Sequence, residues 1–163
     1  MSDARFEDGR FEQGAEGPLY LSAQDSDDLA VISALVQDAV FPAGEVKYLA
    51  KRRQFALLLN RFRWEDRDAA AREGRRFERV QSVLSFADVR RVSSQGVPKG
   101  DAGLVLSLLS LAIEPGTDGS GRVLMILAGG GTLALEVDCL DATLRDVTRP
   151  YLAPSGKVPD HRP

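Results

Sequence analysis

Arg53-Gln-Phe-Ala-Leu-Leu-Leu-Asn-Arg-Phe-Arg-Trp64 decides how the rest of the chain is read. Phe55, Leu57 and Leu59 fall on one face of an extended chain, and Arg61 and Arg63 continue it. Ala56, Leu58, Asn60, Phe62 and Trp64 fall on the other. A period of two is the mark of a strand. Because both faces are partly apolar, the segment reads as a central strand covered on both sides for most of its length.

Working outward, residues 45–50 read as a preceding strand joined to it by a basic turn, Lys51-Arg52. Residues 65–74 are charged and Ala-rich and end in Gly, which suits a loop or one helical turn. Alternation resumes over 77–92 and stops at Ser93-Ser-Gln-Gly-Val-Pro-Lys-Gly. The dense apolar run 104–113, halted by Pro115-Gly, is short enough for a strand. The stretches 122–128 and 132–138 flank Gly129-Gly-Gly, a hairpin in which glycine supplies the positive φ of a tight reversal. Residues 140–147 suit one short helical turn. Upstream, Asp25-Ser-Asp-Asp precedes Leu29, Ile32, Val36 and Val40 at helical spacing. That predicts a capped helix over 26–40 with acids at the positive end of its dipole, stopped by Phe41-Pro42-Ala43-Gly44.

These elements predict an α+β domain: an N-terminal helix packed on a curved, mainly antiparallel sheet of about five to seven strands. A meander or a partly open barrel, resembling the pleckstrin-homology architecture, is the expected form. The domain is expected over 19–149. A flexible acidic arm over 1–18 and a proline-rich tail over 150–163 complete the chain.

Composition removes several function classes. The chain has 163 residues, of which 44% are hydrophobic and 28% charged, as in ordinary folded proteins. No apolar run approaches the roughly 20 residues of a membrane-spanning helix, and the polar N-terminus does not resemble a signal peptide. Cytoplasmic residence is expected, and no membrane partner. One Cys, Cys139, and one His, His161, cannot supply a structural zinc site. His161 lies in the proline-rich tail, a poor place for a catalytic base. Cys139 is expected to be a small buried hydrophobe. No phosphate loop, metal set or other cofactor motif is present, so no cofactor is expected.

Two groups remain. Glu65 with Asp66 and Asp68, and Glu136 with Asp138 and Asp141, are carboxylate clusters able in principle to do acid/base work or hold magnesium. Residues 47–99 carry 14 Lys and Arg against 6 Asp and Glu, inside a chain of net charge -3. In that basic middle, Lys51, Arg52, Arg53, Arg61, Arg63 and Trp64 form a candidate site for an anionic partner, such as an acidic protein segment or another polyanion. The competing reading makes the arginines internal ion-pair partners and Trp64 a core-closing side chain.

Asp28-Leu29-Ala-Val-Ile-Ser, Gln37-Asp38-Ala39, Arg53-Gln-Phe-Ala-Leu, Asn60-Arg-Phe-Arg-Trp-Glu, Phe77-Glu-Arg-Val and Gly129-Gly-Gly occur in that order. In these segments the chain resembles, over about residues 19–148, a family of mainly alphaproteobacterial proteins catalogued as domain of unknown function 2948. The resemblance implies a single-domain, cytoplasmic bacterial protein and supplies no catalytic residues. The expected function is a non-enzymatic binding or interaction module with a basic central surface. A carboxylate-dependent enzyme acting on a small molecule, or a nucleic-acid binder, is the alternative.

Overall fold

The computed structural model describes residues 17–152. Strands β1 (Tyr20–Ala23), β2 (Val40–Pro42), β3 (Val46–Leu49), β4 (Gln54–Phe62) and β5 (Glu78–Phe86) precede β6 (Val89–Gln95), β7 (Val105–Pro115) and β8 (Gly121–Leu127). β9 (Thr132–Val137), β10 (Ala142–Asp146) and β11 (Tyr151–Leu152) complete the set. Helices α1 (Ser26–Leu35) and α2 (Arg67–Glu73) are the two α-helices among the described residues. The sheet is open and antiparallel, in the order β1-β10-β5-β4-β2-β7-β8-β9-β6, with β3 also on β4 and β11 also on β5.

Two devices fold this sheet on itself. The eleven-residue β7 pairs with β2 through Val105, Leu106 and Ser107, then with β8 from Leu108 to Pro115. The chain leaves β5 for β6 at Asp88, whose φ of 56° turns it out of one half-sheet into the other. Inward side chains of both halves meet in one core. Phe55, Leu57, Leu84, Phe86 and Leu144 come from the first half, and Val123, Met125, Leu135 and Val137 from the second. Leu29 and Ile32 of α1 are buried in the same cluster, and the Leu111 N–H of β7 donates to Ser33 Oγ at 2.9 Å. The free edge strand β6 bears a bulge at Val89/Arg91 and the exposed Arg90 and Arg91, features that discourage edge-to-edge pairing.

Several expectations are corrected. The helix expected over 26–40 ends at Leu35, because β7 captures the next backbone groups. Asp38 N–H donates to Leu108 O at 2.8 Å, Leu108 N–H donates to Ala39 O at 2.9 Å, and Asp38 itself has a φ of 64°. Residues 77–92 form two strands divided at Asp88. Residues 140–147 hold a strand, β10, with Ala142 and Leu144 buried between β1 and β5. Pairing is a meander only in part, since β10 lies between β1 and β5 and β6 pairs with β9. Residues 65–74 form a 3-10 turn followed by α2, closed by Gly74 at a φ of 67°. Tyr151 and Leu152, placed in the tail by composition, pair with Arg79 and Glu78. Cys139 is exposed. Most of the arm over 1–18 and of the tail over 150–163, with His161, lies outside the described residues.

Two local features carry measurable expectations. Asp25 caps α1, its Oδ1 accepting from the Asp28 N–H at 2.8 Å. Asp25→Ala should therefore cost about 0.5–2 kcal/mol in urea unfolding. The reversal between β8 and β9 puts Gly129 and Gly130 at φ 87° and 94°. A Cβ at either glycine meets nothing within 4 Å, so the cost of a side chain there is purely conformational. Gly130→Val should destabilise by about 1–3 kcal/mol. An unchanged urea midpoint would contradict the turn.

Candidate functional site

Alternation in β4 aims Arg61 inward behind Phe55, Leu57 and Leu59, and its side chain is 0% exposed. A buried guanidinium needs every donor matched. Its Nη1 and Nη2 donate to Glu65 Oε1 and Oε2 at 2.8 and 2.7 Å, a forked pair made possible because the turn after β4 brings residue 65 back. Nη2 also reaches Asp146 Oδ1 at 3.0 Å and Oδ2 at 3.1 Å, and Nε reaches Ser82 Oγ at 3.1 Å. Ser82 Oγ donates in turn to Asp146 Oδ1 at 2.7 Å, and the Leu19 N–H donates to Asp146 Oδ2 at 2.9 Å. This network ties β4, β5, β10 and the entry to β1. Burial alone would disfavour charge on Arg61, but the hydrogen bonds and charges of Glu65 and Asp146 outweigh it and raise its pKa. Burial likewise disfavours charge on Glu65, and the Arg61 fork more than compensates, lowering its pKa.

Arg63 is 4% exposed and pairs with Glu78 and, at 3.6 Å, with Asp66, which Arg75 also clamps at 3.1 Å. Trp64 donates its indole N–H to Gln37 O at 2.9 Å, stacks edge-on against Phe62 at 4.7 Å and lies under the Arg67 guanidinium. Arg61 and Arg63 are thus buried and ion-paired within the fold, and Trp64 is half-buried, where surface display for anion recognition was expected; Arg63 Nη2 is buried without a hydrogen-bond partner. Arg53 pairs with Asp138. Lys51 and Arg52, on the 3-10 turn between β3 and β4, are exposed and have no ion pair among the described residues.

Four of the six carboxylates in the two clusters are ion-paired in the same way. Glu65 and Asp66 belong to the arginine networks, Glu136 faces Arg91, and Asp138 faces Arg53 and Arg90. Among the described residues no group of three or more His, Cys, Asp and Glu is placed to hold a metal. No described helix is long and apolar enough to cross a membrane.

A cleft of about 820 Å³ opens between the start of α1, the β7–β8 turn and Cys139-Leu140-Asp141. Its thiol donates to Asp88 Oδ2 at 3.2 Å. That hydrogen bond, then burial and the charges of Asp88, Asp141 and Asp138, push the Cys139 pKa up. A thiol held protonated among carboxylates is a poor nucleophile.

The remaining feature is a face. Register and alternation put Tyr20, Lys47, Leu49, Leu58, Asn60, Arg79, Val83, Val105, Arg145 and Tyr151 on the side of the first half-sheet away from the core. Tyr20 (55%), Leu49 (49%), Val105 (64%) and Tyr151 (37%) are large hydrophobic side chains left exposed there. Lys47, Arg79 and Arg145 are its charged residues, and none of the three has an ion pair among the described residues. Asn60 donates to Tyr151 Oη, while Asn60 Oδ1 and Arg79 Nη1 are buried atoms with no hydrogen-bond partner.

A family model for a protein of unknown function, DUF2948, matches residues 19–161. The chain belongs to this family. No curated protein and no solved structure matches it. The DUF2948 match begins at Leu19, the residue whose N–H closes the Arg61 network, and so takes in every strand of the sheet.

Sequence reasoning placed the basic residues of interest on β4 and the turn before it, and missed Lys47, Arg79, Arg145 and the two tyrosines. They come from five different strands, and only the pairing register collects them. The available signal was local: Lys47, Arg79 and Arg145 each alternate with an inward apolar neighbour.

Proposed function

We propose that this chain is a non-enzymatic interaction module that docks an acidic, partly apolar peptide segment on the outer face of its first half-sheet. The observation that carries the reading is the pairing of exposed Tyr20, Leu49, Val105 and Tyr151 with Lys47, Arg79 and Arg145, on a face whose strands place no acid there. Exposed apolar side chains concentrated on one face mark an interaction surface, and cations without partners select an acidic one. Lys51 and Arg52 add to the field from the rim. Aliphatic Leu49, Leu58, Val83 and Val105 outnumber the two tyrosines on this face, a lining that favours peptide side chains over stacked bases. We further propose that the protein is cytoplasmic and that its two half-sheets, with α1 packed on them, form a partly open barrel resembling the pleckstrin-homology architecture in outline.

Fluorescence anisotropy with a labelled peptide of alternating acidic and aromatic residues tests the reading. Binding should weaken with salt. Lys47→Glu with Arg145→Glu should weaken it at least about tenfold, or 1.4 kcal/mol, with stability changed by no more than about 0.5 kcal/mol. Binding of single-stranded RNA or DNA in preference to the peptide would favour the nucleic-acid alternative. Peptide binding indifferent to the double substitution would sink the face as the site.

A further inference from the structure

The sheet ends at β6, which pairs with β9 on one side and with no strand among the described residues on the other. Its first residue is sealed on that second side. The Val89 N–H donates to Arg53 O at 2.8 Å, and Val89 O accepts from Tyr48 Oη at 2.8 Å. Past the bulge the edge is open: Arg91, Ser93, Ser94 and Gln95 are exposed and Val92 is half-buried. An antiparallel ladder turns every second N–H and C=O away from its partner strand, so this stretch presents unpaired main-chain donors and acceptors. The 3-10 turn between β3 and β4 packs against β6 and brings Lys51 and Arg52 to the same corner as Arg53, Arg90 and Arg91. The ion-pair partners there are Asp138, shared by Arg53 and Arg90, and Glu136, 3.8 Å from Arg91. Lys51 and Arg52 keep their full charge.

We propose that the open edge of β6 receives an extended acidic segment of another protein as an added strand. Main-chain hydrogen bonds hold it, and its alternate side chains select it. Residues of the added strand beside Val92, which packs against the core cluster, point inward and are apolar. Those beside Arg91 point outward and are acidic. The bulge confines the pairing to the residues after it. Like charge at Arg90 and Arg91 turns away the β6 of a second copy, and the same charge attracts acids, so one feature excludes self-pairing and selects the partner. Nucleic acid fits less well. The cations gather at one end of the edge with two acids among them, and the exposed residues beyond are Ser93, Ser94 and Gln95, with no aromatic ring to stack a base. The edge belongs to the second half-sheet and is separate from the outer face of the first, so either site can fail without the other.

The probe is a peptide of alternating Glu and Val, about eight residues long, titrated into the isotope-enriched full chain. Amide shifts are expected at Arg91–Gln95 and at Lys51–Arg53. The outward-pointing amides of β6 should exchange with solvent at least about tenfold more slowly when the peptide is saturating. Arg52→Glu with Arg91→Glu, both exposed, should weaken binding at least about tenfold and leave the urea midpoint unchanged. Two further peptides, N-methylated at every Val or at every Glu, keep all of the charge. One of them should lose at least about tenfold in affinity and the other little, since only alternate N–H groups of an added strand face the edge. Equal affinity of the two methylated peptides, the result of attraction by charge alone, overturns the inference. Shifts at Tyr20, Val105 and Tyr151 in place of β6 also overturn it, by assigning the peptide to the outer face. So does single-stranded DNA that displaces the peptide at a lower concentration, which would make the corner a nucleic-acid site.

Discussion

Arg61→Ala is expected to lower the unfolding free energy by about 3–5 kcal/mol, read from urea midpoints at neutral pH. The loss comes less from the contacts removed than from the charges left behind. Asp146 is 4% exposed and would keep only the Ser82 hydroxyl and the Leu19 N–H. Glu65 would lose both arms of its fork. Arg61→Lys should recover little, because one ammonium cannot satisfy Glu65, Asp146 and Ser82 together. The pH dependence follows from Glu65. Its folded pKa lies below its unfolded value, so the stabilisation is complete above about pH 4.3 and is lost as pH falls through the lower folded value. Without Arg61 that lowering disappears, and the gap between wild type and variant should narrow below about pH 4. A deficit under about 1 kcal/mol, or one independent of pH, would show that the guanidinium is solvated rather than enclosed.

Arg61 also shows how much of the fold was legible in the sequence. Alternation in β4 assigned it to the face of Phe55, Leu57 and Leu59, and that face is the core side. Its partner was not legible. Asp146 stands 85 positions further on, in the segment 140–147 that reads as a short helical turn. Ala142-Thr-Leu-Arg-Asp alternates, but so short a run acquires its identity as a strand from β1 and β5 on either side. Asp88 hid the break between β5 and β6 for a related reason. Asp tolerates the left-handed region, yet nothing in Ala87-Asp88 announces that the chain changes half-sheets there. Local signals were enough for the α1 cap and the Gly129-Gly130 turn, where a few adjacent residues hold all the physics. The outer face depends on register across five strands, which is information the linear chain does not carry.

Phe86→Ala should cost about 3–5 kcal/mol, the range for removing a buried aromatic ring. Phe86 is 1% exposed, lies 6.3 Å ring to ring from Phe55 at a tilt of 57°, and stands in register with both Phe55 and Ala142. It is the last residue of β5, where the chain turns through Asp88 to form the facing half-sheet. Strands on both sides fix the backbone, so the cavity cannot collapse readily, and the transfer and cavity costs add. Val105, 64% exposed on the outer face, is the matched control: Val105→Ala removes apolar area that already meets water and should change stability by no more than about 0.5 kcal/mol. The pair tests the assignment of faces on which the docking proposal stands. A small loss at Phe86 together with a large one at Val105 would mean that the core lies on the other side of the first half-sheet. Lys47, Arg79 and Arg145 would then be facing inward. A large loss at Phe86 with none at Val105 leaves the outer side free, its tyrosines and unpaired cations available to an acidic peptide segment.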